Sequence, residues 1–98
     1  MIKYKGFGVA PAELEALLHE HPAVADCAVV PQPDDEAGEI PKAFVVLNKG
    51  TSATAADLMR FVEGKVAGYK RIRAVEFTEE IPKNPSGKIL RRLLKQRG

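Results

Sequence analysis

The sequence predicts a small α+β domain: a sheet of about three strands flanked by helices, with an N-terminal strand and turn and a C-terminal helix. Three observations carry this reading. Apolar residues recur with helical spacing in three separate stretches, around Leu14, Leu58 and Leu93. Between them lie β-rich runs at Val24–Val30 and at Lys42–Leu47. Clusters of Pro, Gly, Asn and Asp mark the ends of these runs.

Taken in order, Lys3-Tyr4-Lys5-Gly6-Phe7-Gly8-Val9 alternates and is punctuated by glycine, as a short strand entering a tight turn would be. The chain thus opens in mid-strand, which is expected of a piece of something longer. Pro11 suits the first turn of a helix, since its fixed φ and missing N–H cost nothing there. Leu14, Leu17 and Leu18 then form one apolar stripe, predicting a helix to about His19-Glu20 that Pro22 stops. Val24 to Val30 reads as a strand. Pro31 through Gly38 reads as turn chemistry throughout, and Lys42 to Leu47 as the next strand, antiparallel to the first.

Thr54-Ala55-Ala56-Asp57 has the form of a capping box with Asp in the usual Glu position. Leu58, Phe61, Val62 and Val66 follow at helical spacing, with Gly64 inside that helix at a cost of roughly 1 kcal/mol relative to Ala. Ala74 to Thr78 is a short alternating strand. Ser86 is then a candidate N-cap, and Ile89, Leu90, Leu93 and Leu94 mark a final amphipathic helix to Gly98.

At 98 residues the chain has room for one domain, and 45% hydrophobic residues can bury a core. One cysteine, Cys27, excludes an internal disulfide framework and points to a reducing, cytoplasmic setting. No apolar run is long enough for a transmembrane span, and the N-terminus has no secretory h-region. Fifteen Lys+Arg against 13 Asp+Glu give +2, too little to mark a nucleic-acid binder. The distribution says more: Asp34, Asp35, Glu36 and Glu39 cluster in the first half. After Glu80 there is no acid, while Lys83, Lys88, Arg91, Arg92, Lys95 and Arg97 accumulate. Such a tail attracts anions, phosphates above all.

Two constellations carry candidate chemistry. In Pro82-Lys83-Asn84-Pro85-Ser86-Gly87-Lys88, Lys88 is expected at or just inside a helix start. The helix dipole opposes an ammonium there, unless a bound anion completes the site. Ser-Gly-Lys is not the end of a P-loop, because Pro82 and Ile89 stand where glycine and Ser/Thr are needed. In the second constellation, alternation places Lys3 and Lys5 on one face of a strand, and Gly6 would let a ligand approach the backbone. A protected edge strand is the plainer account of both lysines. His19 and His21 cannot share a helical face and no partner stands at metal spacing, so no metal site is expected. Cys27 reads as an inert core residue. Tyr69, Lys70, Arg71 and Arg73 lack the repeated aromatic platform that nucleic acid would need.

Ile2-Lys3-Tyr4-Lys5-Gly6-Phe7, followed by Val9-Ala10-Pro11-Ala12-Glu13-Leu14-Glu15, resembles the start of the C-terminal domain of adenylate-forming enzymes. The similarity is to the branch of 4-coumarate–CoA ligase, acyl-CoA synthetase and firefly luciferase. Tyr69-Lys70-Arg71, Ile81-Pro82-Lys83 and Pro85-Ser86-Gly87-Lys88-Ile89-Leu90-Arg91-Arg92 resemble the closing motif of the same domain. The resemblance implies that residues 1–98 form the mobile C-terminal lid domain of an ATP-dependent carboxylate–CoA ligase. Its large N-terminal adenylation domain is then missing, so the fragment is expected to be inactive alone. By this resemblance Lys88 is the catalytic adenylation lysine and a nucleotide contact. Lys3 contacts the nucleotide in a second pose, and Lys5 and Gly6 border the coenzyme A path. ATP, Mg and coenzyme A belong to the full enzyme, with none bound by this domain alone. The partner is the large domain of the same enzyme, with neither membrane nor nucleic acid involved. A free-standing basic module for a phosphate-bearing ligand or nucleic acid is the alternative reading.

Overall fold

A computed structural model describes residues 1–96 of the chain. The expected α+β class is present, built on a larger sheet than the expected three strands. Five strands, β1 (Ile2–Tyr4), β2 (Phe7–Val9), β3 (Val24–Asp34), β4 (Gly38–Leu47) and β5 (Ala74–Phe77), form one sheet. Among the described residues, three α-helices accompany it, α1 (Pro11–His19), α2 (Ala55–Glu63) and α3 (Arg91–Lys95), with a short 3₁₀ turn at Gly68–Lys70. The part of the last expected helix that falls on Arg97 and Gly98 lies outside the described residues.

The longest pairing in the sheet is the β3–β4 hairpin, from Val24↔Leu47 to Asp34↔Gly38, with β4 inside the sheet and β3 at its edge. On the other edge of β4, β1 pairs at Gly38 and β5 runs parallel beside Lys42–Val45. The parallel pairing follows from connectivity, since the path from β4 to β5 crosses over through α2. β1 and β2 form a second, short hairpin where one strand was expected.

Period-two alternation splits the core between the two faces of the sheet. Cys27, Val29, Ala43 and Val45 face one way and bury against Leu14 and Leu18 of α1 and Leu58 and Val62 of α2. Ala28, Val30 and Phe44 face the other way and are covered by Ile81 and Leu94 from the C-terminal segment. A bulge between Val24 and Asp26 shifts the alternation by one, which keeps Val24 in the first core.

β3 runs four residues further than expected, across Pro31 and Pro33. The N–H of Val29 donates to Glu15 Oε2 at 2.8 Å, away from β4. Two-residue alternation aims the nitrogens of Pro31 and Pro33 the same way, toward the unpaired edge, where no ladder bond is lost. The polar turn is therefore only Asp35-Glu36-Ala37, closed by Asp34 Oδ2 accepting from the N–H groups of Glu36 and Ala37.

α1 begins at Pro11 as expected. The capping box also forms: Asp57 N–H donates to Thr54 Oγ1 at 3.1 Å, and Thr54 N–H donates to Asp57 Oδ2 at 3.0 Å. These bonds hold the Asp57 carboxyl below its ordinary pKa. Gly64 caps the end of α2 instead of lying inside it. No helix among the described residues is long and apolar enough to cross a membrane.

Candidate functional site

Lys88 is exposed, and its position differs from the expected helix start. α3 begins three residues later, at Arg91, so the helix-dipole argument does not apply to Lys88. The lysine ends a tight hairpin loop instead. Lys83 and Ile89 pair as an isolated antiparallel bridge, and Leu90 N–H donates to the Pro82 carbonyl at 2.9 Å. Inside it, Gly87 N–H donates to the Asn84 carbonyl at 2.9 Å, closing a β-turn over Asn84-Pro85-Ser86-Gly87. Asn at the first position and Pro at the second suit a type I turn, and Gly87 follows at φ 86°. Ser86 is thus a turn residue and caps no helix.

Two ion pairs moor this loop to the body of the domain. Lys83 Nζ lies 2.6 Å from Asp26 Oδ2 on β3. After the loop, Arg91 donates to both carboxylate oxygens of Glu15 at 2.7 and 2.8 Å, and its Nε donates to the Val29 carbonyl at 3.2 Å. Asn84, Asp26 and Glu15 shape this end of the molecule without a role expected from sequence, and Arg91, expected in an anion-attracting tail, is paired with Glu15 instead. Only the Asn-Pro-Ser-Gly turn pattern was available to reveal one of them.

The second constellation lies at the other end of the β3–β4 hairpin. Lys5 and Gly6 are the central residues of the β1–β2 turn, with φ of 49° and 84°. Positive φ at both positions defines a type I′ turn, the form that matches the twist of a two-residue hairpin. Gly6 is therefore explained by backbone conformation, and a side chain there would meet nothing within 4 Å. Because Lys5 sits in the turn, the alternation that would place it beside Lys3 stops at Tyr4. Lys5 N–H donates to the Ala37 carbonyl at 2.8 Å, and Lys3 N–H to Glu39 Oε1 at 2.9 Å. The Lys3 and Lys5 residues are exposed.

Aromatic contacts fix this hairpin. The Arg73 guanidinium lies over the Tyr4 ring at 4.2 Å, and Phe7 stacks on Tyr69 at 4.7 Å. Lys70 is tied to Glu13 at 3.0 Å, and that bond raises its pKa above the ordinary lysine value.

The two constellations are far apart. β1 meets β4 at Gly38, whereas Asp26, which holds Lys83, pairs with Val46. The eight-residue step from Gly38 to Val46 spans about 26 Å of extended strand.

The remaining candidates are separately engaged. His19 Nε2 lies 3.8 Å from Asp26, while His21 Nδ1 accepts from Ala23 N–H and its ring meets Phe61 edge-on. Among the described residues, no group of three or more His, Cys, Asp or Glu comes together to hold a metal ion. Cys27 is buried, and burial followed by the charges of Glu15 and Asp26 pushes its thiol pKa up to about 12.

Comparison with known proteins agrees with these motifs. Residues 13–88 match the family model described as the AMP-binding enzyme C-terminal domain. The chain is 59% identical over 97 residues to 4-coumarate–CoA ligase-like 1 of Arabidopsis thaliana, covering 99% of this chain and 18% of that protein. It is also 59% identical over 92 residues to peroxisomal OPC-8:0-CoA ligase 1 of the same plant, covering 94% and 17%. Among solved structures, an acyl-CoA synthetase of Brucella canis superposes with a TM-score of 0.91 at 39% identity, over 98% of this chain and 18% of that one. The chain thus spans less than a fifth of the length of the relatives it matches. On the match over residues 13–88 and the identity along nearly all of its length, the chain belongs to the family of AMP-binding enzyme C-terminal domains.

Proposed function

We propose that this chain is the mobile C-terminal domain of an ATP-dependent acid–thiol ligase, and that its two constellations serve successive half-reactions. The observation that carries the reading is the separation of the two exposed lysine-bearing turns, at opposite ends of the β3–β4 hairpin. The strand positions that hold the two loops, Gly38 and Val46, lie about 26 Å apart along β4, which favours one turn facing an active centre at a time. A domain that re-presents itself between steps can offer each in turn.

In the first step a carboxylate oxygen attacks the α-phosphorus of ATP, the bond to the β-phosphate oxygen breaks, and pyrophosphate leaves. Two anions approach each other, and the Lys88 ammonium stabilises the charge that accumulates. In the second step the thiol of coenzyme A gives up its proton and attacks the acyl carbonyl, and AMP leaves. For that step Lys3 contacts the nucleotide, while the Lys5-Gly6 turn borders the thiol substrate. An ion accompanying ATP is assigned to the rest of the enzyme, since no group of three or more metal-ligating side chains gathers among the described residues. A cytoplasmic setting remains part of the proposal, alongside one relative named as peroxisomal.

The test is AMP and thioester release by the full-length enzyme, with ATP, coenzyme A and a panel of aryl and fatty acids. ATP-dependent thioester formation that falls with Lys88→Ala is the expected result. Failure of every acid to release AMP, or an unchanged rate in Lys88→Ala, overturns the reading.

A further inference from the structure

We propose that Asn84 is a positioning residue for Lys88, holding the backbone from which the ammonium projects. The inference rests on the assignment of Lys88 to adenylation. Both backbone polar groups of Lys88 are engaged by this one residue. The Lys88 N–H donates to Asn84 Oδ1 at 2.9 Å, and the Lys88 carbonyl accepts from the Asn84 N–H at 2.9 Å. The same Oδ1 also accepts from the Ser86 N–H at 3.0 Å and the Ser86 hydroxyl at 3.2 Å. Asn84 thereby binds the tip of the loop and its far end together through a single oxygen.

That arrangement matters because both hydrogen bonds to the Lys88 backbone among the described residues come from Asn84. Lys88 is exposed, lies on neither a long strand nor a helix, and follows Gly87, whose backbone is the most permissive in the turn. Lysine also carries a long flexible stem, so the place of its ammonium depends on where the backbone aims it. Neighbouring contacts fix the rest of the loop at Lys83 and Arg91, on either side of it. Asn84 is the link from those anchors to Lys88.

The chemistry of the contact sets the test. All three side-chain contacts are made by Oδ1 as an acceptor, so Asn84→Asp preserves them and Asn84→Ala removes them. Misplacing a catalytic group by about 1 Å can slow a reaction by about 10²-fold. In the full-length enzyme, Asn84→Ala should therefore lower the single-turnover rate of acyl-adenylate formation by roughly 10- to 100-fold. Conversion of supplied acyl-adenylate to thioester should be unchanged, and Asn84→Asp should restore most of the adenylation rate. In a Lys88→Ala background, Asn84→Ala should have no further effect, because a residue acting through Lys88 has nothing left to position.

If Lys88→Ala slows adenylation while Asn84→Ala does not, the positioning role is wrong and the Lys88 assignment stands. Losses from Asn84→Ala in both half-reactions, or a full additional loss on top of Lys88→Ala, would make Asn84 a folding residue and overturn the proposal. Unimpaired adenylation in Lys88→Ala would remove the assignment on which it rests.

Discussion

Arg91 and Glu15, 76 positions apart, meet on the outer edge of β3 with both carboxylate oxygens of Glu15 within 2.8 Å of one guanidinium nitrogen. Between them they satisfy the backbone of Val29, Glu15 accepting its N–H and Arg91 donating to its carbonyl. An open strand edge is otherwise a template for unwanted pairing. Here an ion pair covers it, Pro31 and Pro33 present no N–H beyond it, and the same pair anchors the exit of the Lys88 loop.

Removing the acid should be costly. Glu15 is only 8% exposed, so Glu15→Ala leaves a buried N–H and a partly buried guanidinium without their partner. A loss of about 2–4 kcal/mol is expected, below the range for a fully buried pair because Arg91 is partly solvated. Glu15→Gln, which can still accept from Val29, should lose less. Urea unfolding of the 98-residue chain measures both, and equal midpoints for Glu15→Ala and the parent would refute the role.

The Lys5-Gly6 turn predicts opposite effects on stability and catalysis. Gly6→Ala forces a Cβ into positive φ and should destabilise the chain by about 1–2 kcal/mol, although space is open around it. Lys5→Asn supplies the Asn-Gly pair that type I′ turns favour and should stabilise it by up to about 1 kcal/mol. In the full-length enzyme that more stable Lys5→Asn variant should nevertheless form thioester more slowly. Thioester kinetics equal to the parent would restrict Lys5 to a turn role.

Cys27 gives the chain a pH signature at the alkaline end. Its thiol ionises near 9 when unfolded and at about 12 when folded, through burial first and nearby carboxylates second. A folded pKa above the unfolded one contributes stability that is complete below about 9 and is lost as pH rises toward about 12. Urea midpoints between pH 8 and 10.5 should therefore fall more steeply for the parent than for Cys27→Ala. Parallel profiles would contradict this.

The isolated chain should fold but hold ATP only weakly, since Lys3 and Lys88 stand at opposite ends of the hairpin and cannot close on one nucleotide. Calorimetry on the 98-residue chain checks this, and micromolar affinity would show an ATP site that the separated lysines do not explain.

Local patterns were legible in the sequence, and contacts between distant segments were not. The stripes of Leu14 and Leu18 and of Leu58 and Val62 foretold α1 and α2, because helical spacing and core burial are the same fact seen twice. The motifs around Lys3 and Lys88 were visible as motifs, but their local conformations were misjudged. Ser86 resembled a helix cap because Ser is favoured both there and in turns, and the Asn84 side chain decided for the turn. Pro31 and Pro33 looked like the end of a strand because proline breaks a ladder only when its nitrogen faces the neighbouring strand. Which way it faces depends on register, and the edge it faces is covered by Glu15 and Arg91, whose meeting no local pattern announces.

The central claim is that Lys88 and the Lys3–Gly6 hairpin act in different steps. Single-turnover kinetics of each half-reaction in the full-length enzyme test it most directly, using Lys88→Ala and Lys3→Ala. Lys88→Ala should slow acyl-adenylate formation by roughly 10²-fold or more, the scale of losing one preorganised charge-stabilising group. It should leave thioester formation from supplied acyl-adenylate nearly intact, and Lys3→Ala should show the reverse. Equal losses in both steps for Lys88→Ala would mean that the two ends of the domain serve one shared site, and the account would be wrong.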